Sequence, residues 1–131
     1  MAARILLAED NKMNQIAMQS LLERLGYQVL SVAHGREAVE AYAAGHFDVV
    51  LMDCQMPEMD GFEATAHIRR QQVGSVPIPI IGLSGRALSC DRDEAIALGM
   101  DAYLTKPVSI RDLTSTLEHW ASGEPVGGRR S

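Results

Sequence analysis

Four short apolar runs in this 131-residue chain end on a side chain able to do chemistry. "RILLAED" (4–10) closes on Glu9 and Asp10, "FDVVLMD" (47–53) on Asp53, "PIIGLS" (79–84) on Ser84 and "AYLTK" (102–106) on Lys106. If the runs are neighbouring strands, about 4.8 Å apart, the three carboxylates meet at one rim. Like charges about 4 Å apart repel by about 4 kcal/mol at an effective dielectric near 20, so such a rim needs a proton or a cation. The donors that close the runs are all oxygens, and a water-accessible site with few carboxylates suits Mg²⁺ better than Ca²⁺. Lys106 supplies a second positive charge, so a divalent ion and one ammonium neutralise three acids. Ser84 adds a hydroxyl donor at the same rim. Taken singly these are ordinary residues: Asp turns chains, Ser caps helices, and acids favour a helix start. Their shared position at the ends of four runs carries the chemistry.

The runs are rich in Val, Ile, Leu and Tyr and read as strands, with a fifth at 28–33, "QVLSVA". Between them, helical periodicity predicts helices over 12–25, 35–44, 61–71, 88–98 and 109–121. Asn11 and Ser109 stand where the first and last begin, and Gly26, Gly45 and Gly99 where the first, second and fourth should stop. Ala17, Met18, Leu21, Leu22 and Leu25 form the apolar stripe of the first helix, with Asn14 at the head of that face. Ile110, Leu113, Leu117 and Trp120 form the stripe of the last.

Strict strand–helix alternation with nearly continuous apolar strands predicts an α/β fold in which helices cover both faces of a parallel sheet. With right-handed crossovers, five units give a (βα)5, flavodoxin-like, doubly wound five-stranded sheet in the order 2-1-3-4-5. Its crevice lies at the carboxyl ends of strands 1 and 3. Pro77 and Pro79 crowd the start of strand 4, where a missing N–H is tolerated. Residues 1–121 form the single domain, and 122–131, "SGEPVGGRRS", a flexible tail.

A composition of 47% hydrophobic and 22% charged residues is that of a globular chain. The formal charge of −5 argues against a nucleic-acid surface. No apolar stretch is long enough to span a membrane, and "MAARILLAED" turns acidic too early for a signal peptide. A cytoplasmic location is expected. Cys54 and Cys90 match neither a redox nor a zinc spacing and read as reduced packing residues. His34, His46, His67 and His119 are scattered and read as surface or loop residues rather than ligands or phosphodonors. Most methionines fill core and loops; Met56 and Met59, in a loop beside the crevice, are read as packing residues first and as contacts for a partner helix second.

"LLAEDN", "VVLMDCQMPEMDGFEA", "IIGLS" and "YLTKPV", in this order, resemble the receiver domain of two-component response regulators over residues 4–121. "EDNKMNQ" and "LMDCQMPEMDGFEAT" look most like the receivers fused to hybrid sensor histidine kinases, with a stand-alone regulator as the other possibility. The resemblance implies that Asp53 is the phosphoacceptor, taking a phosphoryl group from a phosphohistidine in a Mg²⁺-dependent reaction. It implies Asp10 as a direct Mg²⁺ ligand, Glu9 as holder of metal-bound water and the Gln55 carbonyl as a further ligand. Lys106 would pair with the phosphoryl group, Ser84 would hydrogen-bond it, and Tyr103 would swing inward on activation. The switched surface would be that of the helices at 88–98 and 109–121 with the last strand. Implied partners are a histidine kinase or histidine phosphotransfer domain, with no nucleic acid or membrane contact and a monomer or weak dimer. Gly85 stands where the family carries a slightly larger residue, which predicts looser coupling of Ser84 to Tyr103. Gln55 and Arg86 fill positions that, in the family the chain resembles, tune phosphoryl lifetime.

Two other functions compete. A hydrolase with an aspartyl-phosphate intermediate would carry a second acid two positions after the nucleophile, where this chain has Gln55. An unphosphorylated interaction module would have lost one of the site residues, and none is lost. The domain is therefore expected to be a signalling phosphoacceptor rather than an enzyme, although a hybrid parent would be a histidine kinase.

Overall fold

The computed structural model describes residues 3–53, 61–71, 78–84, 99–105 and 108–120. Its elements run β1 (Arg4–Ala8), α1 (Lys12–Arg24), β2 (Gln28–Val32), α2 (Gly35–Ala44), β3 (Val49–Asp53), α3 (Gly61–Gln71), β4 (Ile80–Ser84), β5 (Ala102–Thr105) and α4 (Ile110–Trp120). The sheet is parallel throughout, in the order β2-β1-β3-β4-β5, as the alternation predicted. The helix expected at 88–98 lies outside the described residues, as do Pro77, Cys54, Cys90, Met56, Met59, Gly85, Arg86 and the tail.

The central strand explains why its sequence is uninterrupted Val-Val-Leu-Met. Every residue of β3 is buried, because helices close both faces of the sheet. On one face Leu6, Ala8, Val50, Met52 and Ile80 pack against Ala38 of α2 and Ala64 and Ile68 of α3. On the other, Ile5, Leu7, Val49, Leu51, Ile81 and Leu83 pack against Leu22 of α1 and Leu113 and Leu117 of α4. Alternate residues of each strand thus feed two separate cores.

The boundary signals work largely as expected. The Asn14 N–H donates to Asn11 Oδ1 at 3.0 Å, and the Asp112 N–H to Ser109 Oγ at 3.0 Å. Gly26, with φ of 100°, ends α1 in the left-handed conformation that favours glycine. Gly45 ends α2 differently, with φ of −128°, in extended backbone.

Four residues expected on buried faces need correction. Ala17 and Asn14 of α1 are exposed, and Leu25, just past the end of the helix, is 37% exposed. Ile110, assigned to the apolar stripe of α4, is 61% exposed. In α1 the sheet-facing stripe is shifted: the half-buried Gln15 and Gln19 share it with Met18 and Leu22. Their side-chain hydrogen bonds to β2 offset the loss of apolar contact there.

A polar latch holds the opposite end of the sheet. Arg69 Nε and Nη2 donate to the Gly99 carbonyl at 3.0 and 2.6 Å, Nη1 to the Ile78 carbonyl at 2.7 Å, and Nη2 to Asp101 Oδ2 at 2.8 Å. The same carboxylate oxygen accepts the Ile80 N–H at 2.8 Å. One guanidinium therefore ties α3 to the starts of β4 and β5.

Candidate functional site

Register places the acids. Ala8 pairs with Met52, so Glu9, the residue just after β1, comes level with Asp53 at the end of β3. Carboxylate oxygens of Glu9, Asp10 and Asp53 all lie within 4.8 Å of one another. Glu9 and Asp53 are 2% and 3% exposed, whereas Asp10 faces solvent. At 4.8 Å or less and an effective dielectric near 20, each pair of ionised acids repels by at least about 3.5 kcal/mol. That energy favours a bound cation, and three closely spaced hard oxygens suit a divalent ion of the Mg²⁺ type.

The backbone that carries the acids is held on three sides. The Glu9 N–H donates to the Val32 carbonyl at 3.1 Å, extending the β1–β2 pairing by one step. Glu9 Oε2 accepts the Asn11 N–H at 3.2 Å, which turns the carboxylate toward the head of α1. The amide of Gln15 reaches back from the first turn of α1, donating to the Glu9 carbonyl at 3.2 Å and the Val32 carbonyl at 3.0 Å. α1 begins directly after the acids, so its positive dipole end adds to their stabilisation.

Ser84 ends β4 one step beyond Leu83, the residue paired with Asp53, and is itself paired with Thr105. Its backbone is therefore at the rim of the acids. Tyr103 lies half-buried on β5 opposite Gly82 and packs on the α2–α3 side of the sheet. A Cβ built on Gly82 would lie 3.1 Å from Tyr103 Cδ1 and 2.5 Å from Met100 Sδ, so the missing side chain makes the seat for that ring. Gln55 and Lys106 lie outside the described residues. The described structure thus brings together Glu9, Asp10 and Asp53, puts the end of β4 beside them, and leaves Tyr103 two strands from Asp53.

Sequence reasoning missed Gln15 and the Asn11 amide. The only signal was the polar pair Gln15 and Gln19 at helical spacing, which the apolar stripe obscured. His34 was read as a surface or loop residue; it also caps α2, its Nδ1 accepting the Glu37 N–H at 3.4 Å.

The profile of the response regulator receiver domain matches residues 5–118. The sensor histidine kinase GacS of Pseudomonas protegens is 40% identical over 121 residues, which cover 91% of this chain and 13% of that protein. The chain thus spans a small part of the curated relatives it matches. Among solved structures, the receiver domain of sensor histidine kinase PA1611 from Pseudomonas aeruginosa, with magnesium coordinated in its active-site cleft, is 37% identical. It superimposes with a TM-score of 0.82 over 94% of this chain and 100% of that one. The receiver domain of Ssk1 from Saccharomyces cerevisiae, crystallised with the phosphotransfer protein Ypd1, is 28% identical, with a TM-score of 0.85 over 92% and 90% of the two chains. Match, topology and the convergence of acids at the ends of β1 and β3 agree: the chain belongs to the response regulator receiver domain family.

Proposed function

We propose that this receiver accepts a phosphoryl group on Asp53 from a phosphohistidine, with a Mg²⁺ ion held by Glu9, Asp10, Asp53 and the Gln55 carbonyl. The single observation that carries the reading is the gathering of three carboxylates within 4.8 Å at the carboxyl ends of two adjacent strands. When bound, the ion supplies positive charge against the phosphoryl oxygens. Asp53 presents a carboxylate oxygen at the rim; the O–P bond forms there as the P–N bond of phosphohistidine breaks, and the imidazole leaves with its electron pair. Lys106, the residue after Thr105, and the Ser84 hydroxyl are assigned to the new phosphoryl charge. That charge, about −1.5 to −2, draws on Ser84 and shifts Tyr103 and the surface around β5 and α4 between two pre-existing arrangements.

The surroundings of the acids support the partner class. Met13 and Ile16 are 76% and 56% exposed on the first turns of α1, the helix that starts just after the acids, and Ile110 is exposed at the head of α4. Such a surface suits the helical face of a histidine phosphotransfer domain or histidine kinase. The net charge of −5 disfavours nucleic acid. No helix among the described residues is long and apolar enough to cross a membrane. We assign the domain to residues 1–121 with 122–131 as tail, to the cytoplasm, to a monomer or weak dimer, and to a hybrid kinase as parent. Gln55, in the place of a hydrolase's second acid, supports a phosphoacceptor rather than a multiple-turnover phosphatase.

Incubation of the intact chain with acetyl phosphate tests the reading. Intact mass should show one phosphoryl adduct with Mg²⁺, none with chelator and none in Asp53→Asn. Turnover of a generic phosphoester, or labelling that survives Asp53→Asn, would contradict it.

A further inference from the structure

We propose that Gln15 is a positioning residue for the divalent-ion site, acting through the main chain that carries Glu9 and Asp10. This rests on the reading that Mg²⁺ binds at Glu9, Asp10 and Asp53.

Glu9 stands one residue past the last paired residue of β1, where its carbonyl leaves the strand ladder. A part-buried carbonyl is stabilised by a donor, and the Gln15 amide supplies one at 3.2 Å. The second amide hydrogen goes to the Val32 carbonyl at 3.0 Å, which also accepts the Glu9 N–H at 3.1 Å. Both donors of one side chain are thus spent on the ends of β1 and β2, and neither on solvent.

The consequence for the acids follows from the planarity of the peptide unit. The Glu9 carbonyl belongs to the peptide that joins Glu9 to Asp10, so fixing that oxygen fixes the direction in which Asp10 leaves the strand. Asp10 is exposed and repelled by two neighbouring carboxylates, so before an ion arrives electrostatics push it outward. Gln15 opposes that drift from behind, in contact with neither the ion nor the phosphoryl group. Gln19, one turn further along α1, provides an internal contrast. Its Oε1 accepts the Ser31 hydroxyl and its Nε2 donates to Glu23 Oε2 at 3.0 Å, so it fastens the same helix to the same strand without holding the acid-bearing peptide.

The experiment is a calorimetric Mg²⁺ titration of the full chain, comparing wild type with Gln15→Met and Gln19→Met, each also melted in chelator. Methionine keeps the length of the side chain and removes its donors. Gln15→Met should raise the Mg²⁺ Kd about tenfold, the lower end of the usual loss when a ligand's supporting hydrogen bond is removed. Gln19→Met should stay within about twofold of wild type, although both lower the melting temperature. An unchanged Kd in Gln15→Met, or equal weakening in the two variants, overturns the proposal. If Gln15→Met does not fold, Gln15→Asn, whose amide is too short to reach both carbonyls, must show the same weakening, and wild-type affinity there also overturns it. If wild type itself takes up no Mg²⁺, the metal-site reading fails and the proposal falls with it; that result is distinct from a site that binds normally without Gln15.

Discussion

Replacing Asp53 with asparagine should make the metal-free protein more stable. Asp53 belongs to two of the three acid pairs, each worth at least about 3.5 kcal/mol of repulsion at 4.8 Å or less, which sets a scale of about 7 kcal/mol if all three are ionised and unscreened. Asp10 is exposed, so water and salt remove much of this, and asparagine gives up the contacts made by the second carboxylate oxygen. A net gain of about 1–2 kcal/mol remains, or about 3–8 °C in melting temperature for a chain of this size. Mg²⁺ should narrow the gap: at a free concentration ten times its Kd, binding adds about 1.4 kcal/mol to wild type, while Asp53→Asn gains less. The assay is thermal denaturation followed by circular dichroism, in chelator and in Mg²⁺, from low salt to about 1 M, where the variant's advantage should shrink. A variant no more stable than wild type in chelator at low salt would refute the electrostatic reasoning, as would equal responses of the two proteins to Mg²⁺.

Other consequences can be measured directly. Arg69→Ala should cost about 2–4 kcal/mol in urea titrations, because it strips donors from the Gly99 and Ile78 carbonyls and leaves Asp101 without its cation; a loss below about 0.5 kcal/mol would show that the latch is ornamental. Gly82→Ala should cost about 1–3 kcal/mol, since the buried Met100 must move to admit a methyl 2.5 Å from its sulfur, and Tyr103 fluorescence should change with it; a neutral substitution would contradict this packing. Tyr27 titrates above its ordinary value of 10.0, because burial and then the nearby Glu118 carboxylate disfavour the phenolate. Its contribution to stability is therefore intact below pH 10.0 and is lost as pH rises through the higher folded value; Tyr27→Phe should abolish that alkaline loss, and a loss unchanged in the variant would exclude Tyr27 as the cause.

The candidate site was legible where a signal is local. An apolar run ending in an acid names a strand and its acidic tip together, and Asn11 and Ser109 mark helix starts through bonds that span three residues. Strand order then followed from the alternation of elements and brought Glu9, Asp10 and Asp53 together without further information. What escaped was polar side chains that bond to distant backbone. Gln15 reaches a carbonyl 17 positions away and Arg69 one 30 positions away, and no periodicity encodes such a partner. The stripe on α1 was misplaced for the same reason, because hydrophobic spacing assigns an inward glutamine to solvent. Ile110 erred in the other direction: its apolarity marked it as core, yet its place at the first turn of α4 leaves it exposed.

The central claim, that acids at the ends of β1 and β3 form a metal-dependent phosphoacceptor, is tested most directly by trapping the acyl phosphate. The intact chain would be phosphorylated by a phosphohistidine donor domain, reduced with borohydride and digested, and the peptides sequenced by mass spectrometry. The account predicts homoserine at position 53 alone when Mg²⁺ is present and at no position in chelator. Reduction at another carboxylate, or equal conversion of Asp53 without the ion, would contradict it.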